Sequence, residues 1–190
     1  CAEWLATHME KIGLKTKIMP TGGHPVVYAE YIQPGNRTTI LYYGHYDVQP
    51  AEPFELWKTS PFEPIVENGY IIARGSTDDK GQLLTHIKAA EAYLATGQQL
   101  PVNMKFLIEG EEESGSENLE KFIKDNSALL KADVVVVSDT AQYGRNRPAV
   151  TYGLRGIAFM EVKLIGPDRD LHSGSFGGAI PNPINVLAKI

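Results

Sequence analysis

The chain has 190 residues, 43% hydrophobic and 22% charged, with a formal net charge of −5. That is ordinary globular composition, long enough for one large domain or one domain and part of another, and it lacks the basic stripe a nucleic-acid partner would need. No run approaches the roughly 20 apolar residues of a membrane span, no secretory signal pattern is read, and the one cysteine, Cys1, permits no internal disulfide and favours a reducing, cytoplasmic compartment.

The apolar spacing of Trp4, Leu5, Met9 and Ile12 predicts a helix over 2–13, stopped by Gly13. Short strands are expected over 15–19 and 26–32 around the turn Pro20, Thr21, Gly22, Gly23, with a further break at Asn36. A β-rich run over 38–43 leads into Gly44 and His45. Residues 50–69, with Pro50, Pro53, Pro61, Pro64 and Gly69, read as a long surface loop carrying a short hairpin. A helix over 78–95 would present Leu83, Leu84, Ile87, Ala90 and Leu94 on one face. A strand over 102–109 follows, then an amphipathic helix over 116–126 with Leu119, Phe122 and Ile123 turned inward. Four consecutive valines within 133–138 fit a parallel strand buried on both faces. Strands alternating with helices argue for an α/β fold, a mixed and mostly parallel sheet covered by helices.

Near residue 149 the texture changes. Residues 152–165 alternate apolar and polar side chains, as an antiparallel strand with one wet face would. The expected organisation is a metal-binding domain over 1–149 and the start of a second, α+β domain over 150–190. Both ends read as cut, so the chain is expected to be the N-terminal part of something longer.

Acidic and histidine clusters stand at the carboxyl ends of three expected strands, where open α/β sheets bind ligands. They are Gly44, His45, Tyr46 and Asp47; then Glu109 with Glu111, Glu112 and Glu113; then Ser138 and Asp139. Asp78 and Asp79 open a helix near the same rim. So many carboxylates at one rim call for a cation. One imidazole with several carboxylates and no cysteine suits zinc or manganese in a catalytic site, and the excess of acids suits a metal pair, typically ~3.5–4 Å apart. Each piece also has an ordinary reading: Asp78 as a helix cap, the glutamate run as a solvated charge cluster, Asp139 as a loop residue, the His-x-Asp pattern as chance.

Taken in order, the motifs Gly44-His45-Tyr46-Asp47-Val48-Gln49-Pro50, Arg74-Gly75-Ser76-Thr77-Asp78-Asp79-Lys80-Gly81, Gly110-Glu111-Glu112-Glu113-Ser114-Gly115-Ser116, Ser138-Asp139 and Asp170-Leu171-His172-Ser173-Gly174 closely resemble the aminoacylase/carnosine dipeptidase family. That family of co-catalytic dizinc metallopeptidases also includes carboxypeptidase G and succinyl-diaminopimelate desuccinylase. With Tyr152-Gly153-Leu154-Arg155-Gly156, the wording looks most like the cytosolic dipeptidase branch.

The resemblance implies a dizinc exopeptidase-like fold with an inserted lid and dimerisation domain. It implies two divalent ions, zinc first with manganese or cobalt possible. His45 and Asp139 would hold one ion, Glu113 the other, and Asp78 would bridge them. Asp47 would accept the His45 ring N–H, Glu112 would act as general base, and Glu111 would be a solvated spare acid. His172 would reach a partner's active site in a homodimer and stabilise the oxyanion. A cis peptide bond between Asp78 and Asp79 is also implied. His8, His24 and His86 match no motif and read as ordinary. The implied reaction is amide hydrolysis in dipeptides or small peptides by metal-activated water. Deacylation of N-acyl amino acids is the alternative within the family, and a metal-free binding or assembly domain is the alternative outside it.

Overall fold

The computed structural model describes residues 1–35 and 37–190. Asn36, read above as a chain break, lies outside the described residues. The chain divides into two compact units, Cys1–Thr151 and Tyr152–Ile190.

The first unit opens with α1 (Ala2–Lys11), whose Leu5 and Met9, one turn apart, are buried. Gly13, at φ +100, turns the chain out of the helix in a conformation open to glycine without penalty. A five-stranded sheet follows, built from β1 (Lys15–Met19), β2 (Val26–Tyr31), β3 (Thr39–His45), β6 (Asn103–Glu109) and β7 (Val134–Val137), in the spatial order β1-β2-β6-β3-β7. β1 and β6 both pair antiparallel with β2, Lys15 opposite Glu30 and Val27 opposite Ile108. β3 runs parallel to both β6 and β7. The sheet is thus mixed, as expected, with its parallel part at β6, β3 and β7.

Side-chain alternation along the strands sorts the core onto two faces. Val27, Ala29, Met104, Phe106 and Ile108 meet Leu5 and Met9 of α1 and Leu83, Ile87 and Ala90 of α2 (Lys80–Ala95). Val26, Tyr28, Leu41 and Leu107 meet Phe122 of α3 (Leu119–Asp125) and Leu130 of α4 (Ser127–Leu130). β6 lies between β2 and β3, and all seven of its residues are buried. One of them is Lys105, whose Nζ donates to the carbonyls of Leu129 and Lys131 at 2.6 and 2.8 Å. It thereby satisfies carbonyls at the end of α4. Lys105→Met should cost about 1–3 kcal/mol, because those carbonyls lose buried donors. Urea denaturation checks this, and an unchanged midpoint would count against it.

The long loop carries a short hairpin, β4 (Ile65–Glu67) and β5 (Tyr70–Ile72), as expected. Its turn residues, Asn68 and Gly69, both have positive φ, the requirement of a two-residue hairpin turn.

Several expectations need correction. α2 begins at Lys80, with Asp79 rather than Asp78 at its cap position. α3 begins only at Leu119, because Gly115 and Ser116 take positive φ values and delay the helix. Phe122 is buried as expected, whereas Ile123 is 40% exposed. β7 is parallel as expected, but its valines are less buried than expected. Val134, Val135 and Val137 are 47%, 59% and 55% exposed, and among the described residues β7 has β3 as its one neighbour.

In the second unit, residues 152–165 form no strand among the described residues, and their apolar side chains are exposed. The alternation is present, but a strand also needs a neighbour to take its backbone hydrogen bonds. The unit's helices are short: α5 (Ser173–Phe176) and α6 (Pro183–Leu187), the latter capped by Asn182, which accepts from Ile184 N at 2.9 Å. Among the described residues no helix is long and apolar enough to cross a membrane.

Candidate metal centre

β3 and β6 end side by side, His45 opposite Glu109. His45 is fully buried. Its two ring nitrogens face different partners. Nδ1 has two oxygens of Asp47 in reach, the carbonyl at 3.3 Å and Oδ1 at 3.2 Å. Nε2 faces Asp78 Oδ1 at 3.0 Å, Asp139 Oδ2 at 3.6 Å and Glu112 Oε2 at 3.9 Å. A proton held on Nδ1 by Asp47 leaves the Nε2 lone pair free for a metal, the usual arrangement of a ligating histidine. The Asp78–Asp79 peptide bond is cis.

The electrostatics follow from burial and crowding. Burial pushes the His45 imidazole down, but Asp47, Glu112, Asp79 and Asp139 around it outweigh that and raise its pKa. Glu112 and Asp139 are both raised, chiefly by desolvation, with neighbouring carboxylates adding to it. Asp79 is buried and reaches about 6. Among the described residues no lysine or arginine forms an ion pair with Asp78, Glu112 or Asp139; their ion-pair partner is His45. Oxygens and one imidazole nitrogen converge without a side-chain cation to neutralise them. This donor set fits a divalent ion. One atom from each of His45, Glu112 and Asp139 lies within 4.8 Å of the others.

The geometry brings His45, Asp78, Asp139, Glu112 and Asp47 together. Glu113 stands beside them, with its carboxylate turned to Gln49, whose Nε2 donates to Oε2 at 2.7 Å. Its backbone N–H donates to Asp47 Oδ2 at 3.0 Å. Asp47 therefore ties the histidine to the glutamate loop. His172 belongs to the second unit, where it is exposed at the cap of α5 and its Nδ1 accepts from Gly174 N at 3.0 Å.

Glu111 is not a free solvated acid. Its carboxylate accepts from the backbone N–H of His24 at 2.9 Å and from Asn118 Nδ2 at 2.9 Å, and these bonds hold its pKa below the usual value. It pins the β1–β2 turn to the loop that carries Glu112 and Glu113.

Sequence reasoning passed over other supports. Asp79 accepts from His45 N at 3.3 Å and fixes the end of β3; the Asp78-Asp79 doublet was the available signal. Glu109 is buried and accepts from Tyr43 OH at 2.5 Å and Ser116 Oγ at 2.9 Å, anchoring the far end of the glutamate loop. Gly110 has no room for a side chain, because a Cβ would meet the Tyr46 ring, and that ring is held by Tyr46 OH donating to Pro25 O at 2.7 Å.

Together these features define an α/β protein with a group of candidate metal ligands at the ends of its parallel strands. The profile of Peptidase family M20/M25/M40 matches residues 41–167, and the chain belongs to that family. Divalent-metal use goes with that membership. The chain is 39% identical, over its whole length, to the Cys-Gly metallodipeptidase dug1 of Schizosaccharomyces pombe, of which it spans 42%. It is 41% identical to human Beta-Ala-His dipeptidase over 87% of this chain and 33% of that protein. Among solved structures, that of the dipeptidase Dug1p from Saccharomyces cerevisiae matches 98% of this chain and 42% of its own, with a TM-score of 0.75 at 35% identity. The chain thus spans less than half the length of these relatives.

Proposed function

We propose that this chain forms the metal-binding part of a metallodipeptidase that hydrolyses the amide bond of dipeptides or small peptides. The observation that carries this reading is the buried His45 Nε2 facing Asp78, Asp139 and Glu112 at the strand ends. The dipeptidase names of the relatives favour it over deacylation of N-acyl amino acids. On this reading His45 and Asp139 would hold one ion and Glu113 a second, Asp78 would be shared between them, and zinc is the first candidate. When bound, such a pair would supply an acidified water and polarise the scissile carbonyl.

The side chains supply the rest. Asp47 keeps the His45 proton on Nδ1. Glu112 Oε2 takes a proton from the attacking water and returns it to the leaving amine. The desolvation that raises Glu112 brings its proton affinity closer to what that exchange needs. Residues 150–190 would begin a lid and dimerisation domain, with His172 serving the partner's site in a homodimer. The single cysteine supports a cytoplasmic location.

The test is a metal-content measurement and a substrate panel on the complete gene product. Hydrolysis of dipeptides such as Cys-Gly or β-Ala-His, abolished by chelation and restored by zinc or manganese, is expected. A metal-loaded protein that cleaves only N-acyl amino acids would overturn the dipeptidase reading. A protein that binds no metal would overturn the metal centre.

A further inference from the structure

Asp139 stands two residues past the end of β7. β7 pairs with β3 as far as Tyr43 opposite Val137. The β3–β7 pairing therefore stops before Ser138 and Asp139, although Asp139 Oδ2 lies 3.6 Å from His45 Nε2. Among the described residues, the side-chain hydrogen bond that ties this turn to another element runs between His86 Nε2 and Ser138 Oγ, at 2.5 Å.

His86 lies on α2, two turns beyond Asp79. Its ring packs on Tyr42 of β3, with centroids 4.6 Å apart, and Tyr42 in turn packs on the buried Phe106, with centroids 5.3 Å apart. The next residue, Ile87, is fully buried and fixes the helix at this level. The imidazole is therefore packed on an aromatic ring that rests against the core, and hydrogen-bonded to the residue before Asp139.

We propose that His86 is a positioning residue of the metal centre: through Ser138 it sets where Asp139 presents its carboxylate. The inference rests on Asp139 being a metal ligand. α2 then serves both ligand carboxylates, following directly on Asp78 and its own cap residue Asp79 and holding Asp139 from its side. Ser138 acts only through its hydroxyl, which joins the helix to the turn.

The test is calorimetric titration of the metal-stripped complete gene product with Zn²⁺. His86→Ala and Ser138→Ala should each weaken binding about tenfold, the lower range for losing a group that orients a ligand. His86→Gln, whose amide reaches the Nε2 position, should retain near-native affinity. The double variant His86→Ala/Ser138→Ala should bind no more weakly than either single one, because both remove the same link. Ser138→Ala decides the matter if His86→Ala does not fold. Native affinity in Ser138→Ala and His86→Ala, with binding lost in Asp139→Asn, would reduce His86 to a packing residue and overturn the inference. Native affinity in Asp139→Asn would instead remove the ligand assignment on which it rests.

Discussion

Glu112→Gln is expected to leave fold and metal content nearly intact and to lower kcat by ~10²–10⁴-fold, the cost of losing a general acid–base. Glu113→Gln should instead lose the second ion together with activity. The geometry makes this pair a real contest. Glu112, not Glu113, lies in the tight donor group with His45 and Asp139, while Glu113 is turned to Gln49. The proposed roles require Glu113 to exchange the Gln49 amide for a metal ion when the centre is loaded. Glu111→Gln is the third member of the comparison, and here the structure changes the expectation of a silent substitution. The Gln oxygen can still accept from His24 N, but its amide would oppose Asn118 Nδ2 until that side chain flips. A loss of about 0.5–1.5 kcal/mol in stability is expected, the worth of one hydrogen bond, with kcat little changed. Metal stoichiometry and kcat of all three variants of the complete gene product separate the roles. A metal-depleted Glu112→Gln beside a metal-replete, inactive Glu113→Gln would exchange the two assignments.

Much of this architecture was legible because local pattern and tertiary position agree along β1, β2, β3, β6 and α2. Apolar periodicity placed those elements, and the acids after β3 and β6 marked the rim where the donors converge. What escaped depends on contacts that sequence spacing does not carry. Glu111 reads as one acid in a charged run until the His24 amide, 87 positions away, is seen to point at it. His86 reads as a helix residue until β7 brings Ser138 alongside. The valines of β7 and the alternation over 152–165 illustrate a second limit. Composition reports that a segment suits a strand, whereas burial and pairing depend on what lies next to it. β7 has one neighbour, and residues 152–165 have none among the described residues, so the same signals gave a correct direction in one place and no strand in the other.

Phe106→Ala is expected to be the most destabilising single substitution in the first unit, at ~3–5 kcal/mol. Phe106 lies in the middle of β6, opposite Ala29 on one side and Tyr42 on the other, and is fully buried. It belongs to the core face that joins α1 and α2 to the sheet, so truncation leaves a void that elements on both sides must close. Against the roughly 5–15 kcal/mol that holds a typical domain together, such a loss is a large fraction. Val135→Ala, at a side chain 59% exposed in this chain, should fall within about 0.5 kcal/mol, as surface substitutions usually do. Phe106→Leu should cost less than Phe106→Ala, because it fills more of the void. The same substitutions should also register at the metal centre. Tyr42 stacks on Phe106 and also packs against His86, so Phe106→Ala should loosen the support of Ser138 and weaken Zn²⁺ binding under conditions where the variant remains folded. Urea denaturation gives the first effect and metal titration the second. A Phe106→Ala variant that is destabilised by the full amount yet binds Zn²⁺ like the native protein would show that core packing and the metal centre are uncoupled along this path.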